Sequence, residues 1–423
     1  MNAVATERSD DTDEPGVIFD PGFYATHGYP HAAWTRLRRE DPVHFMDDPE
    51  RGPFWAVTRY EDITTVGRDA RRFISSPGVA LNKLNDPSTG TLNAPIPMIL
   101  MMDPPKHGKY RGVVRERFTL AAMTGLEEHI VAKSRQIADD VARQRLETAA
   151  EGGEIDFVTS VAARLPLDVI LELLGVPVED RDDVFAWSNA VIGSEDPEFG
   201  SEAAPRDIIL KSAMAFFDYF SRHVAAKRAA PKDDLVSTLI AGRVDGEPLS
   251  DMDILGFCFL LALAGNETTR NATSGALMAL IDHPDAMATL RQTPDMLPVA
   301  VEEMLRWVAP IIYMARTAAE DTELAGRRIA KGDKLVLFYP SANRDESVFV
   351  DPFRFDIART PNEHLTFGFG RHRCLGNDLA RIELRSVMGE VIRRFPDIRL
   401  AGPVSRLRSN FVGGIKHLPV AFG

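Results

Sequence analysis

The sequence predicts a mainly α-helical protein with a small β region, and three observations carry that class. From Asp103 to about Ile240 the chain shows Ala-rich amphipathic stretches at helical spacing. A long helix-compatible run then extends from Ser250 to Asp282. Strand candidates are few and short, and they fall near the two ends of the chain.

In chain order, residues 1–16, with TERSDDTDEPG, are acidic and read as a disordered lead-in. Residues 17–423 read as one domain, since no repeat and no linker separates two cores. Val43–Met46 and Phe54–Thr58 are strand candidates joined by the turn-forming DDPERG. Within Ala70 to Met102, the run SSPGVALNKLNDPSTGTLNAPIP is too long for a tight turn and keeps apolar residues, a pattern more often functional than idle. MDPPKHGKYRG then opens a helix, with Asp103 as its cap and Pro104 in its first turn. The acidic GSEDPEFGSEAAP interrupts the helical half. Ser250 and Asp253 give the N-cap signal of the long helix, and His283 and Pro284 stop it. DTELAGRRIAKGDKLVLFY reads as a strand, a Gly-containing turn and a second strand. A helix after Gly376 and the strand-like GGIKHLPVAF finish the chain.

At 423 residues the chain is long enough for a large core. A net charge of −13 excludes binding of nucleic acid through a general basic field. Met1 to Asp20 lacks the apolar centre of a signal peptide, and Ile254 to Ala264 is about half of a membrane span. A soluble cytoplasmic protein without a membrane span is expected. There, Cys258 and Cys374 stay free thiols.

Cys374 stands in FGFGRHRCLG, ahead of an amphipathic helix. The helix dipole, free N–H groups aimed by Gly368, Gly370 and Gly376, and the charges of Arg371 and Arg373 favour thiolate. Three readings stay open: a small buried turn residue, a phosphatase-type nucleophile, or a thiolate ligand to haem iron. The second wants an arginine about six residues on, and Arg381 is the seventh. Cys258, in GFCFLL, has no cation or glycine cradle and reads as core.

A second cluster, AGNETT, lies inside the long helix. Gly265 costs about 1 kcal/mol there relative to alanine. Either the cluster is a solvated turn with Thr268 bonding back to a carbonyl, or Ala264–Gly265 admits a flat cofactor beside a hydroxyl and a carboxylate that manage protons.

Phe367, Gly370, Cys374 and Gly376 match Phe-x-x-Gly-x-x-x-Cys-x-Gly, and the chain resembles the cytochrome P-450 monooxygenases over nearly its whole length, with five motifs in the family's order. The resemblance implies the P-450 fold: a large helical domain around haem b (iron protoporphyrin IX), with a minor sheet from the N- and C-terminal parts. It implies Cys374 as iron ligand, Phe367 packed beneath the porphyrin, and His107, Arg111, Arg316 and His372 on the propionates. AGNETT resembles the oxygen-activation motif, which makes Thr268 the catalytic alcohol and Glu267 the acid that relays protons. Glu303-x-x-Arg306 and PFRF imply a structural Glu303–Arg306–Arg354 cluster.

The implied activity is insertion of one oxygen atom from dioxygen into an unactivated C–H bond. A peroxygenase or isomerase, a haem-based sensor, and a haem-free cysteine hydrolase are the alternatives. Apolar residues in four segments and near the tail suggest a pocket lined by Val79, Leu100, Ile192, Leu261, Ile311, Ile312 and Phe411, hence a lipophilic substrate. GNETTRNA, EEMLRWVAPIIYMART and GIKHLPV look most like bacterial members acting on branched lipids, sterol side chains and terpenoids. With no reductase module expected, the resemblance implies electrons from a ferredoxin and its reductase, docking near Arg115, Arg117, Arg371, Arg373 and Arg381. A monomer is expected.

Overall fold

The computed structural model describes residues 13–76, 78–81, 96–147, 153–192, 198 and 205–422, the side chains of 189, 191–192 and 205–209 excepted. Its axis is the helix Asp251–Asp282, 32 residues long and so about 48 Å from end to end. The predicted cap forms: Ser250 Oγ accepts from the Asp253 N–H at 3.1 Å, and the Asp253 carboxylate accepts from the Ser250 N–H at 3.1 Å. The helix is buried nearly all round, as expected for one at the centre of a large core. Around it pack Arg164–Leu173, Pro205–Ala229, Leu297–Val308 and Asn377–Arg394. Among the described residues no helix is long and apolar enough to cross a membrane.

The β region is a five-stranded sheet in the order Val43–Asp48, Gly52–Val57, Lys334–Phe338, Tyr313–Ala318, Phe73–Ile74. The first two strands form the predicted hairpin, with Val43 opposite Val57. Lys334–Phe338 runs parallel to Gly52–Val57 and antiparallel to Tyr313–Ala318, pairing Leu335 with both Trp55 and Arg316. The sheet thus joins strands about 280 residues apart in sequence and sets Arg316 on a rigid central strand.

Several expectations need correction. DTELAGRRIAKGDKLVLFY holds three strands, not two: Thr322–Leu324 and Arg327–Ile329 form a separate hairpin through Ala325–Gly326, both at positive φ, and Lys334–Phe338 leaves for the large sheet. The strand Tyr313–Ala318 was not anticipated. GGIKHLPVAF divides into Ile415–His417 and Pro419–Ala421, which pair in different sheets. Asp103 does not cap the Lys106–Val114 helix by its side chain; its carboxylate accepts from the N–H groups of Ser75 and Ser76 at 2.7 and 3.1 Å, anchoring the end of the Phe73 strand. Of the acidic lead-in, 1–12 lie outside the described residues. At 13–16 the chain is already placed: Pro15 begins a 3₁₀ turn, and Asp13 and Glu14 face Arg36.

Candidate active site at the cysteine loop

The loop Phe367–Gly376 passes through positive φ at Gly368 (68°) and Gly370 (75°). At Gly370 close approach adds a second demand, since a Cβ would stand 1.9 Å from the Gly67 carbonyl oxygen. The Cys374 N–H donates to the Phe367 carbonyl at 2.8 Å and closes the loop. The Gly376 N–H bonds to the sulfur. Phe367 is held from behind by the Arg381 guanidinium, 4.6 Å from its ring centre.

Cys374 lies deep in the molecule, and its exposure comes from the cavity it faces. Burial pushes its thiol above the ordinary value, outweighing the Gly376 N–H and the charges of Arg111, Arg381 and Arg373. This corrects the expectation that the loop alone favours thiolate. The donors of the loop alone therefore do not offset burial, and a metal at the sulfur would. Cys258 is fully buried, and burial raises its thiol beyond the ordinary range, as a core residue requires.

The cavity runs between the cysteine loop and the long helix. At one edge it collects His107, Arg111, Arg316 and His372. The rings of His107 and His372 are 4.1 Å apart. Burial, with Arg111 and Arg371, lowers His107 to about 4; burial, with Arg316, His107 and Arg111, lowers His372 to about 2. Asp103, a carboxylate that acts on His107 and Arg316, is committed to the backbone of Ser75 and Ser76. Four crowded bases with so little counter-charge suit a dianionic ligand. A thiol on the floor, cations at the rim and an apolar space between them fit haem b.

One face of the long helix forms a wall: Leu261, Ala264, Gly265, Thr268, Thr269 and Ala272 line the cavity at helical spacing. Thr268 Oγ1 donates to the Ala264 carbonyl at 2.8 Å. Glu267 is absent from this wall. A helix turns about 100° per residue, which carries Glu267 to the far side, where its buried carboxylate accepts from Arg270 and, at 3.1 Å, from Asn271. Gly265 also has a different reason from the one expected: a Cβ there would stand 2.8 Å from Ile170 Cγ1, so helix–helix approach demands the glycine.

A sequence model of the family described as Cytochrome P450 matches residues 207–398. Linalool 8-monooxygenase from Pseudomonas putida is 37% identical over 95% of this chain and 97% of its own length. The steroid C26-monooxygenase of Mycobacterium tuberculosis is 37% identical over 96% of this chain and 93% of its own. A Mycobacterium marinum cytochrome P450 solved in complex with pseudoionone superimposes with TM-score 0.87, at 35% identity, over 99% of this chain and 100% of that one. The chain belongs to the cytochrome P450 family. It is a monooxygenase whose cofactor is haem b.

In this cytochrome P450, Glu303 and Arg306 are fully buried and pair through two bonds of 2.7 Å. Arg306 also donates to the carbonyls of Asn343 and Pro352, and Glu303 accepts from the Asp356 N–H and the Asn362 amide. The cluster therefore ties the Leu297–Val308 helix to the meander ahead of the cysteine loop. Its third member is corrected: Arg359 lies 3.2 Å from Glu303, whereas the exposed Arg354 offers only its carbonyl, to Arg306 and Arg359. Arg354 is exposed, and Phe355, the next residue, is buried.

Of the expected pocket residues, Leu100, Leu261 and Ile311 line the cavity. Val79, Ile312 and Phe411 do not. Val79 is buried and its carbonyl accepts from Ala315 N–H at 2.7 Å; Ile312 and Phe411 pack with Tyr313 against the N-terminal aromatic core. Neighbours on extended backbone face opposite ways, so Ile311 and Ile312 cannot both reach one cavity. The side chain of Ile192 lies outside the described residues. Sequence reasoning missed Glu383, at helical spacing from Leu379 and Ala380.

Proposed function

We propose that this cytochrome P450 hydroxylates the terminal or near-terminal carbon of a branched lipid, a terpenoid or a sterol side chain, with electrons from a ferredoxin served by its reductase. The carrying observation is the cavity above Cys374. Away from its basic edge the lining is Ile99, Leu100, Leu260, Leu261, Ile311 and Met314, all apolar. Each substrate methylene buried there contributes about 0.8 kcal/mol, enough for such walls to hold and orient a hydrocarbon chain. The activities for which the relatives are named, on linalool and on steroids, point the same way.

When bound, the haem supplies the redox chemistry that activates dioxygen and attacks the C–H bond. The chain's own residues do the rest. Cys374 would hold the iron through sulfur, and the Gly376 N–H bonded to that sulfur would temper its charge. His107, Arg111, Arg316 and His372 would bind the propionates. Ala264 leaves space at the wall, and Thr268 presents a hydroxyl there that positions a proton donor. Glu267 works from the far face of the helix, and passing a proton towards Thr268 requires its pair with Arg270 to open.

Arg115, Arg371 and Arg373 are exposed and carry no ion pair among the described residues, which suits docking of an acidic ferredoxin. Arg117 is engaged by Asp233 at 2.6 Å and Thr238 at 3.1 Å, and Arg381 by Glu302 at 2.7 Å. Both leave the docking set. We treat residues 17–423 as one domain acting as a cytoplasmic monomer; the sheet that pairs Gly52–Val57 with Lys334–Phe338 supports that unit.

The test is a panel of branched fatty acids, acyclic terpenoids and sterols, read by the high-spin shift of the Soret band and by product with ferredoxin and reductase. A shift and an ω-hydroxylated product are expected from at least one class. Neither signal from any member rejects the substrate assignment.

A further inference from the structure

Behind the cysteine loop a second set of polar groups converges on Phe367. Arg381 sets its guanidinium 4.6 Å from the centre of the Phe367 ring, within reach of a cation–π attraction. Two partners hold it there. Its Nε and Nη2 donate to the two oxygens of Glu302 at 2.7 and 3.0 Å, and its Nη1 donates to Asn377 Oδ1 at 2.6 Å. The Asn377 amide in turn donates to the Cys374 carbonyl at 3.1 Å. A further carboxylate, Asp378, lies 3.7 Å from Nη1.

Glu302 is fixed from its other side by His364. The Thr366 N–H donates to His364 Nδ1 at 3.3 Å, which leaves the ring proton on Nε2, and that nitrogen donates to Glu302 at 3.1 Å. Burial pushes the Glu302 carboxyl up, but the bonds from His364 and Arg381 overcome it and hold the carboxyl at about 2. Neighbouring acids on the Leu297–Val308 helix thus serve different parts of the chain: Glu303 grips the meander, and Glu302 grips the helix that follows the cysteine loop. A fork bonded through both arms fixes position as well as charge. That charge is felt at the sulfur, since Arg381 is one of the arginines that favour the thiolate of Cys374.

We propose that the Arg381–Glu302 pair, held by His364 and Asn377, is a positioning device that sets the reduction potential of the centre ligated by Cys374. Arg381 presents a fixed positive charge behind Phe367 and favours the reduced state; Glu302 fixes its place and limits its strength. One electron enters from the redox partner, no covalent bond forms or breaks, and the arginine meets the added negative charge. The proposal rests on the haem-thiolate reading of Cys374. The two side chains are 24% and 28% exposed, so solvent screens part of the effect.

The test uses haem-loaded, substrate-free wild type, Arg381→Gln, Glu302→Gln, Arg381→Lys and the double variant Arg381→Gln with Glu302→Gln, each titrated potentiometrically with dithionite and mediator dyes. Removing the cation should disfavour reduction by roughly threefold to tenfold, and removing the carboxylate should favour it by a similar factor, tenfold being about 59 mV for one electron. Arg381→Lys should lie between wild type and Arg381→Gln, and the double variant should return towards wild type. The C–O stretch of the reduced carbon monoxide complex should move in opposite directions in the two single variants. If Arg381→Gln does not take up haem, the shift in Glu302→Gln decides. Shifts of one sign in both single variants, no shift, or failure of both to load would make the pair a structural brace and overturn the proposal. A wild-type protein without the red-shifted carbon monoxide band would instead break the haem-thiolate reading beneath it.

Discussion

Glu267 and Thr268 are adjacent in the sequence yet stand on different faces of one helix: the hydroxyl of Thr268 is at the cavity wall, and the carboxylate of Glu267 is buried behind it against Arg270 and Asn271. The acid–alcohol pair of the motif is thus separated by helix geometry, and the two residues make different predictions.

Thr268→Ala should load haem normally, because the side-chain hydrogen bond it removes, to the Ala264 carbonyl, stays within its own helix. Product per electron should drop roughly tenfold, with hydrogen peroxide rising to match. Simultaneous assay of NADH, product and peroxide checks this. Full coupling in the variant removes Thr268 from proton delivery.

The Glu303 cluster separates Arg359 from Arg354. Arg359→Ala takes a partner from a fully buried carboxylate and should cost roughly 3 kcal/mol, whereas Arg354→Ala should stay within about 0.5 kcal/mol. Urea denaturation followed by loss of the Soret band measures both. Equal effects would contradict the assignment of Arg359.

His417 gives a pH dependence. Its ring bonds Asp156 at 2.8 Å and Glu198 at 2.6 Å, and these carboxylates hold its value above the ordinary one. A raised folded-state value means stabilisation that is present in acid and lost as pH rises through that value. His417→Gln should lower Tm at about pH 6 and leave it unchanged at about pH 9. The site is partly exposed, so the effect should stay below about 1 kcal/mol. A loss that is independent of pH would contradict the charged pairing.

Arg115→Glu and Arg373→Glu should slow reduction by ferredoxin and flatten its dependence on salt, leaving the reduced carbon monoxide spectrum intact. Stopped-flow reduction at several ionic strengths reads this. Arg117→Glu should do less, since Asp233 already neutralises that charge.

Much of the architecture was legible in the sequence because its signals are local. Ser250, Asp253 and Pro284 mark the ends of the long helix, and alternating strand residues around DDPERG mark the first hairpin. The cysteine loop, the four basic residues and Thr268 were also legible, and they meet at one cavity. What was not legible depends on pairing across the chain. Arg354 and Arg359 are equally plausible partners of Glu303 until the meander is folded. Ile311 and Ile312 are equally apolar until a strand direction separates them. The upward push on the Cys374 thiol follows from burial, which neighbouring charges in the sequence do not reveal. Glu383 looks like any helix-surface acid until the helix is seen packed inward.

The central claim is that Cys374 ligates haem iron in this fold. It is tested by the absorption spectrum of purified protein reduced with dithionite and exposed to carbon monoxide. A strongly red-shifted Soret band, lost in Cys374→Ala, is the predicted result. A histidine-type band in folded wild-type protein, or a red-shifted band that survives in Cys374→Ala, would contradict it.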